Sequence, residues 1–145
     1  MRSDPDEEYI IALCDAVLGI ESSRQHRLPF LLGDPGRNGV CRRLPVDAFY
    51  ELLALAVEYR ERQHSEPVAF MDRRQTVSGC TRGEQRRRYD ERRRLVLPLH
   101  GIRLVELDYS MFAHDGRKRL RRDRAADEAV ISTVLRLPTA TALSV

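Results

Sequence analysis

Residues 44–60 form the most apolar part of the middle of the chain, yet they carry two acids, Asp47 and Glu58, each flanked by residues that belong in a core. An ionised carboxylate is costly to bury unless it is paired or coordinates a metal. Two carboxylates brought together also repel unless a cation lies between them. Any fold this chain adopts must provide for both acids, and the local pattern leaves two solutions open. Phe49, Leu52, Leu53, Ala56, Val57 and Arg60 fit a helical period, and no Gly or Asn marks a turn, so propensity alone favours a helix. On a helix, the eleven residues from Asp47 to Glu58 span about 16 Å, too far for a shared ligand. As an antiparallel hairpin, 46–50 against 55–59, the acids converge, because cross-strand neighbours lie about 5 Å apart.

The flanking segments are easier to assign. Asp4-Pro5-Asp6-Glu7 reads as a helix start, with Asp4 as N-cap, Pro5 at the first helical position and Glu7 completing a capping box. Tyr9, Ile10, Leu13, Val17 and Leu18 then recur at helical spacing up to Gly19. Residues 24–32 read as a strand and the Gly/Pro/Asn-rich 33–39 as a loop. A helix over 84–97, a strand over 102–107 after the Gly101 break and a closing helix over 123–137 complete the pattern. Length predicts one domain, 1–138, with core enough to need no staples, and 139–145 as a frayed tail.

Charge and cysteine usage narrow the function classes. There is no long apolar run, so no membrane span is expected, and the acidic start is the opposite of a signal or transit peptide, which predicts a cytoplasmic protein. The three cysteines, Cys14, Cys41 and Cys80, have no Cys-x2-Cys spacing and argue against a disulfide scaffold or structural zinc. His26, His100 and His114 form no ligand spacing. The net charge is only +3, but residues 73–94 hold nine arginines against three acids, and 117–124 hold six basic residues against one. Such clusters attract phosphate backbones. They also occur as solvated helix faces, and a chain whose single lysine is Lys118 carries arginine-rich surfaces for compositional reasons as well.

Two blocks of residues carry a family resemblance. Val46, Asp47, Tyr50, Leu55, Val57, Glu58, Gln63 and His64 form the first. Asp90, Arg93, Leu97 and Gly101, spaced Asp-x2-Arg-x3-Leu-x3-Gly, form the second. With the entry Ser23-Arg24-Gln25, they resemble the restriction-endonuclease-like nuclease superfamily, in particular its very-short-patch-repair-like branch of small bacterial proteins, over roughly residues 20–108. The resemblance implies an α/β fold with a mixed central β-sheet flanked by α-helices, and it selects the hairpin for 46–59.

It further implies Mg²⁺-dependent hydrolysis of DNA phosphodiesters, with Mn²⁺ as the alternative ion. Asp47, Glu58 and the backbone carbonyl of Tyr59 would hold the metal, and Asp47, Glu58, Arg60, Gln63 and His64 would form the catalytic set. Arg60 stands where the superfamily motif has Lys. Arginine stays protonated at physiological pH, so Arg60 could clamp a phosphate but not act as a base, which leaves His64 for proton exchange or water orientation. Arg24, Arg86, Arg87, Arg93 and Arg94 are the candidate DNA contacts, with Gln85 and Tyr89 on the same helix. Glu21 is a less favoured extra ligand. The alternative is a non-catalytic nucleic-acid-binding or protein-interaction member of the same fold.

Overall fold

The computed structural model describes residues 5–61 and 81–136. The order is helix α1 (Asp6–Leu18), strands β1 (Ser23–Pro35), β2 (Cys41–Tyr50) and β3 (Leu55–Arg60), helix α2 (Arg82–Leu99), strand β4 (Arg103–Asp108) and helix α3 (Arg124–Arg136). The four strands form one mixed sheet in sequential order. β1, β2 and β3 are antiparallel neighbours, and β4 adds parallel to β3, as a return through a helix requires. The expected α/β architecture is therefore present. Cys80, Gln63, His64, Asp4, the arginines at 73 and 74 and the 137–145 tail lie outside the described residues.

The hairpin, not the helix, forms at 46–59, with Ala48 paired to Val57, Phe49 to Ala56 and Tyr50 to Leu55. Its turn lacks the usual Gly or Asn because a 3₁₀ turn over Glu51–Leu53 is closed by Ala54 in the left-handed region at φ 47°. For an L-residue that conformation costs roughly 1–2 kcal/mol. The sheet on either side of this turn supplies the compensation: the Ala54 carbonyl accepts the Arg103 N–H at 2.9 Å, tying the turn to the start of β4.

Two cores sandwich the sheet. On one face, Ala48, Tyr50, Val57, Val105 and Leu107 pack with Ile10, Leu13 and Cys14 of α1 and Ile131 and Leu135 of α3. On the other, Leu28, Leu31, Leu44, Val46, Phe49 and Ala56 pack with Leu97 of α2. Along β2 the side chains should alternate between faces, but Leu44 and Val46 go to the α2 core while Ala48 and Tyr50 go to the α1 core. The alternation thus breaks at Asp47.

Several local expectations are corrected. Pro5 is the N-cap of α1, not its first residue, and no side chain caps the helix among the described residues. Asp6 instead accepts from the Leu120 N–H and the Arg122 guanidinium, and Glu7 turns toward the sheet. Gly19 ends α1 at φ 72°, the left-handed stop expected of glycine. The segment 33–39 is not all loop, because β1 runs on through Gly33, Asp34 and Pro35 and β2 begins at Cys41. The two strands thus make a long arm whose tip is 36–40. Gly33 fits this arm against α2: a Cβ there would lie 3.0 Å from both Leu44 Cδ2 and the Tyr89 hydroxyl. Helix α2 starts two residues earlier than expected because the Thr81 side chain caps it, accepting from the Glu84 N–H at 3.2 Å.

Candidate functional site: an acidic centre on the β2–β3 hairpin

Extending the β2–β3 register by one step sets Asp47 opposite Glu58. The ladder gives way there to side-chain bonds. The Asp47 N–H donates to Glu58 Oε2 at 3.2 Å, and the Tyr59 N–H donates to Asp47 Oδ2 at 2.8 Å. Since an extended residue sends its N–H and C=O to the same side of its strand, the Tyr59 carbonyl also leaves toward Asp47.

Two residues that sequence reading left out of the site complete it. Glu7 reaches Asp47 from α1, and the Gln25 amide nitrogen donates to both, at 3.2 Å to Glu7 Oε2 and 3.1 Å to Asp47 Oδ1. Gln25 lies between the partners of Ala48 and Val46 on β1 and holds φ 46°. Such left-handed backbone at a non-glycine residue concentrates where side chains must be aimed. The available signal for Glu7 was an acid in the first turn of an amphipathic helix, which normally means only a favourable helix dipole. Glu21, the extra ligand considered from sequence, is exposed beyond the end of α1.

Glu58 is 9% exposed. Arg93 reaches it from α2, Nε to Oε1 at 2.9 Å, and the same Nε donates to the Pro45 carbonyl at 3.0 Å. Arg93 is itself divided, because its Nη1 lies 3.3 Å from Asp90. Asp90, 6% exposed, also takes Arg60 Nη1 at 2.8 Å. Arg60 Nη2 then pairs with Glu106 of β4, and Arg94 closes the row on Glu106 at 3.0 Å. Glu58, Arg93, Asp90, Arg60, Glu106 and Arg94 thus make a line of alternating charge from the site to the helix surface.

Within that line three acids balance three arginines, and Asp47 and Glu7 stand outside it. Burial and the adjacent Asp47 raise the Glu58 carboxyl from 4.5 to about 9, against the pull of the shared Arg93. Burial, Asp47 and Glu61 raise Glu7 to about 7. The centre therefore holds more acid than cation and retains protons at neutral pH. Hard carboxylate oxygens with surplus negative charge are the donor chemistry of Mg²⁺ and Mn²⁺. Among the described residues, no three His, Cys, Asp or Glu side chains stand as a ready-made ligand group; the acids meet pairwise through Asp47.

The remaining sequence candidates are dispersed. Arg60 is turned into the ion-pair line, away from solvent. Arg93 is inside the site, paired with Glu58 and Asp90. Arg24 is paired with Asp15 at 2.9 Å and Glu8 at 3.5 Å. Arg87 and Arg94 are exposed on α2, Arg86 is half-buried, and Gln85 is on the same helix. Tyr89 packs under the arm, its hydroxyl accepting the Asp34 N–H at 3.0 Å. Gln63 and His64 lie outside the described residues. No helix among the described residues is long and apolar enough to cross a membrane. No family model matches the chain, and no curated protein or solved structure matches it.

Proposed function

We propose that this protein is a Mg²⁺-dependent endonuclease-like enzyme that hydrolyses DNA phosphodiesters at the Asp47–Glu58 centre. The observation that carries the reading is the convergence of the two acids across the hairpin, with a surplus of carboxylate that raises Glu58 and Glu7 well above the ordinary range. The motif resemblance adds the reaction class. Asp47, Glu58 and the Tyr59 carbonyl would hold the ion, with Glu7 beside Asp47 adding negative charge. A divalent ion there supplies positive charge to the phosphate and acidity to a neighbouring water.

The chain's own groups have definable parts. Gln25 and the Tyr59 N–H fix the two oxygens of Asp47, which sets the direction of its remaining lone pairs. Arg93 orients Glu58. Arg60, at the usual lysine place, acts through Asp90 as a positioning residue, holding Arg93 in register. His64 would exchange the proton.

A non-catalytic nucleic-acid-binding or protein-interaction role is favoured by one observation, the enclosure of Arg60 between Asp90 and Glu106. Cleavage of supercoiled plasmid separates the two. Nicking with Mg²⁺ or Mn²⁺, absent in EDTA and abolished by Asp47→Ala and by Glu58→Ala in folded protein, is the expected result. Equal residual cutting by wild type and both variants would assign the activity to a contaminant and leave the binding role.

A further inference from the structure

The β1–β2 arm and Tyr89 of α2 line an open cleft of about 620 Å³. Its lining includes Arg27, Arg37, Arg42 and Arg43, all exposed. None of the four forms an ion pair among the described residues; Arg27 donates only to the Arg43 carbonyl. The one acid in the lining, Asp34, is already met by Arg92 at 2.9 Å and Arg88 at 3.6 Å. Four guanidinium groups thus line one space that holds no further carboxylate among the described residues, and their mutual repulsion is relieved by an incoming anion. Val40, Leu44, Pro45 and the Tyr89 ring supply apolar wall between the charges.

We propose that this cleft holds the phosphate backbone of the nucleic acid, delivering the strand to the acidic centre. The cations are strung out along the arm: Arg27 pairs with Pro45 at its base, Arg42 and Arg43 follow on β2, and Arg37 is in the tip. Cations strung out in this way suit a chain of spaced charges better than a lone phosphate. The base of the cleft is Pro45, whose carbonyl is held by the same Arg93 Nε that pairs with Glu58. From Arg43 to Asp47 the strand covers about 13 Å, so a backbone gripped along the arm is carried on toward Asp47. The apolar wall suits sugar edges, and contacts of this kind position without reading sequence.

The proposal rests on the DNA reading of the Asp47–Glu58 centre, but its test does not require cleavage. Full-length protein is titrated onto a fluorescein-labelled 20-base-pair duplex in EDTA, by anisotropy, over a range of KCl concentrations. Replacing Arg42 and Arg43 together by Gln should weaken binding about tenfold and make the log–log salt slope shallower by about 1.8. The melting temperature should not change, because neither side chain has a partner to lose among the described residues. The shift should be the same on unrelated sequences. An unchanged slope and affinity in the double variant overturns the proposal even if the plasmid is cut normally. Displacement of the duplex by poly-glutamate at equal charge concentration also overturns it, by assigning the cleft to an acidic polypeptide. Retained binding by Glu58→Ala, with cleavage lost, separates cleft from centre and supports both.

Discussion

The raised carboxyls make stability depend on pH in a direction that can be worked out. Glu58 has an ordinary value of 4.5 and a folded value of about 9, so between these limits the folded chain holds a proton that the unfolded chain has released. Stability from this group is complete below about pH 4.5, declines as pH rises through the window, and stops declining above about 9. The slope is about −1.4 kcal/mol per pH unit for one proton taken up on folding. Glu7 adds to it below about 7, by a smaller amount because that side chain is half exposed and screened. Urea unfolding between pH 5.5 and 8.5 without divalent ions should therefore show stability falling by roughly 1–2 kcal/mol per unit, more steeply in the acidic half. Glu58→Gln, which is always neutral, should be flatter by about 1.4 kcal/mol per unit. Saturating Mg²⁺ should flatten the wild type in the same way, because the ion takes the place of the retained protons and stabilises by about 2.7 kcal/mol at one hundred times its Kd. Parallel pH profiles for wild type and Glu58→Gln would refute the buried-proton argument. A profile indifferent to Mg²⁺ and Mn²⁺ would refute the cation-binding half.

Asp90→Ala leaves Arg60 and Arg93 buried with one counter-ion fewer each, and should cost about 3 kcal/mol in urea unfolding; a loss under 0.5 kcal/mol would show that the line of charges is not structural. Arg94→Ala at the exposed end of the line should cost less than about 1 kcal/mol. Tyr59→Phe removes a buried hydroxyl with no hydrogen-bond partner among the described residues, and should leave the protein unchanged or more stable by about 1 kcal/mol; a clear loss of melting temperature would reveal a partner. Ala54→Gly should stabilise the hairpin by about 1 kcal/mol, because it relieves φ 47° at the turn, and a destabilised variant would mean that the methyl group matters to packing.

Most elements were legible because their signals are local. Gly19 and the amphipathic run from Tyr9 to Leu18 act on neighbours within a turn or two; the Thr81 cap went unread and moved the start of α2 by two residues, and β2 begins five residues before the expected 46. The hairpin was the hard case. Ala54 supplies the backbone reversal that Gly or Asn would have advertised, and the apolar residues of 49–60 satisfy a helical period, so local propensity favoured a helix and only the family resemblance selected the hairpin. The partners of those acids were beyond local reading. Glu7 is forty residues from Asp47, and Arg93 is thirty-five from Glu58, and each comes from a helix packed on the sheet. From sequence, Arg93 belongs to an arginine-dense stretch whose members look interchangeable. Burial distinguishes them: Arg87, in the same stretch, faces solvent, while Arg93 enters beside Glu58 because Asp90 and the Pro45 carbonyl share its desolvation. That sharing limits how much charge Arg93 can offset at the site, and it is the physical reason the centre remains short of a cation.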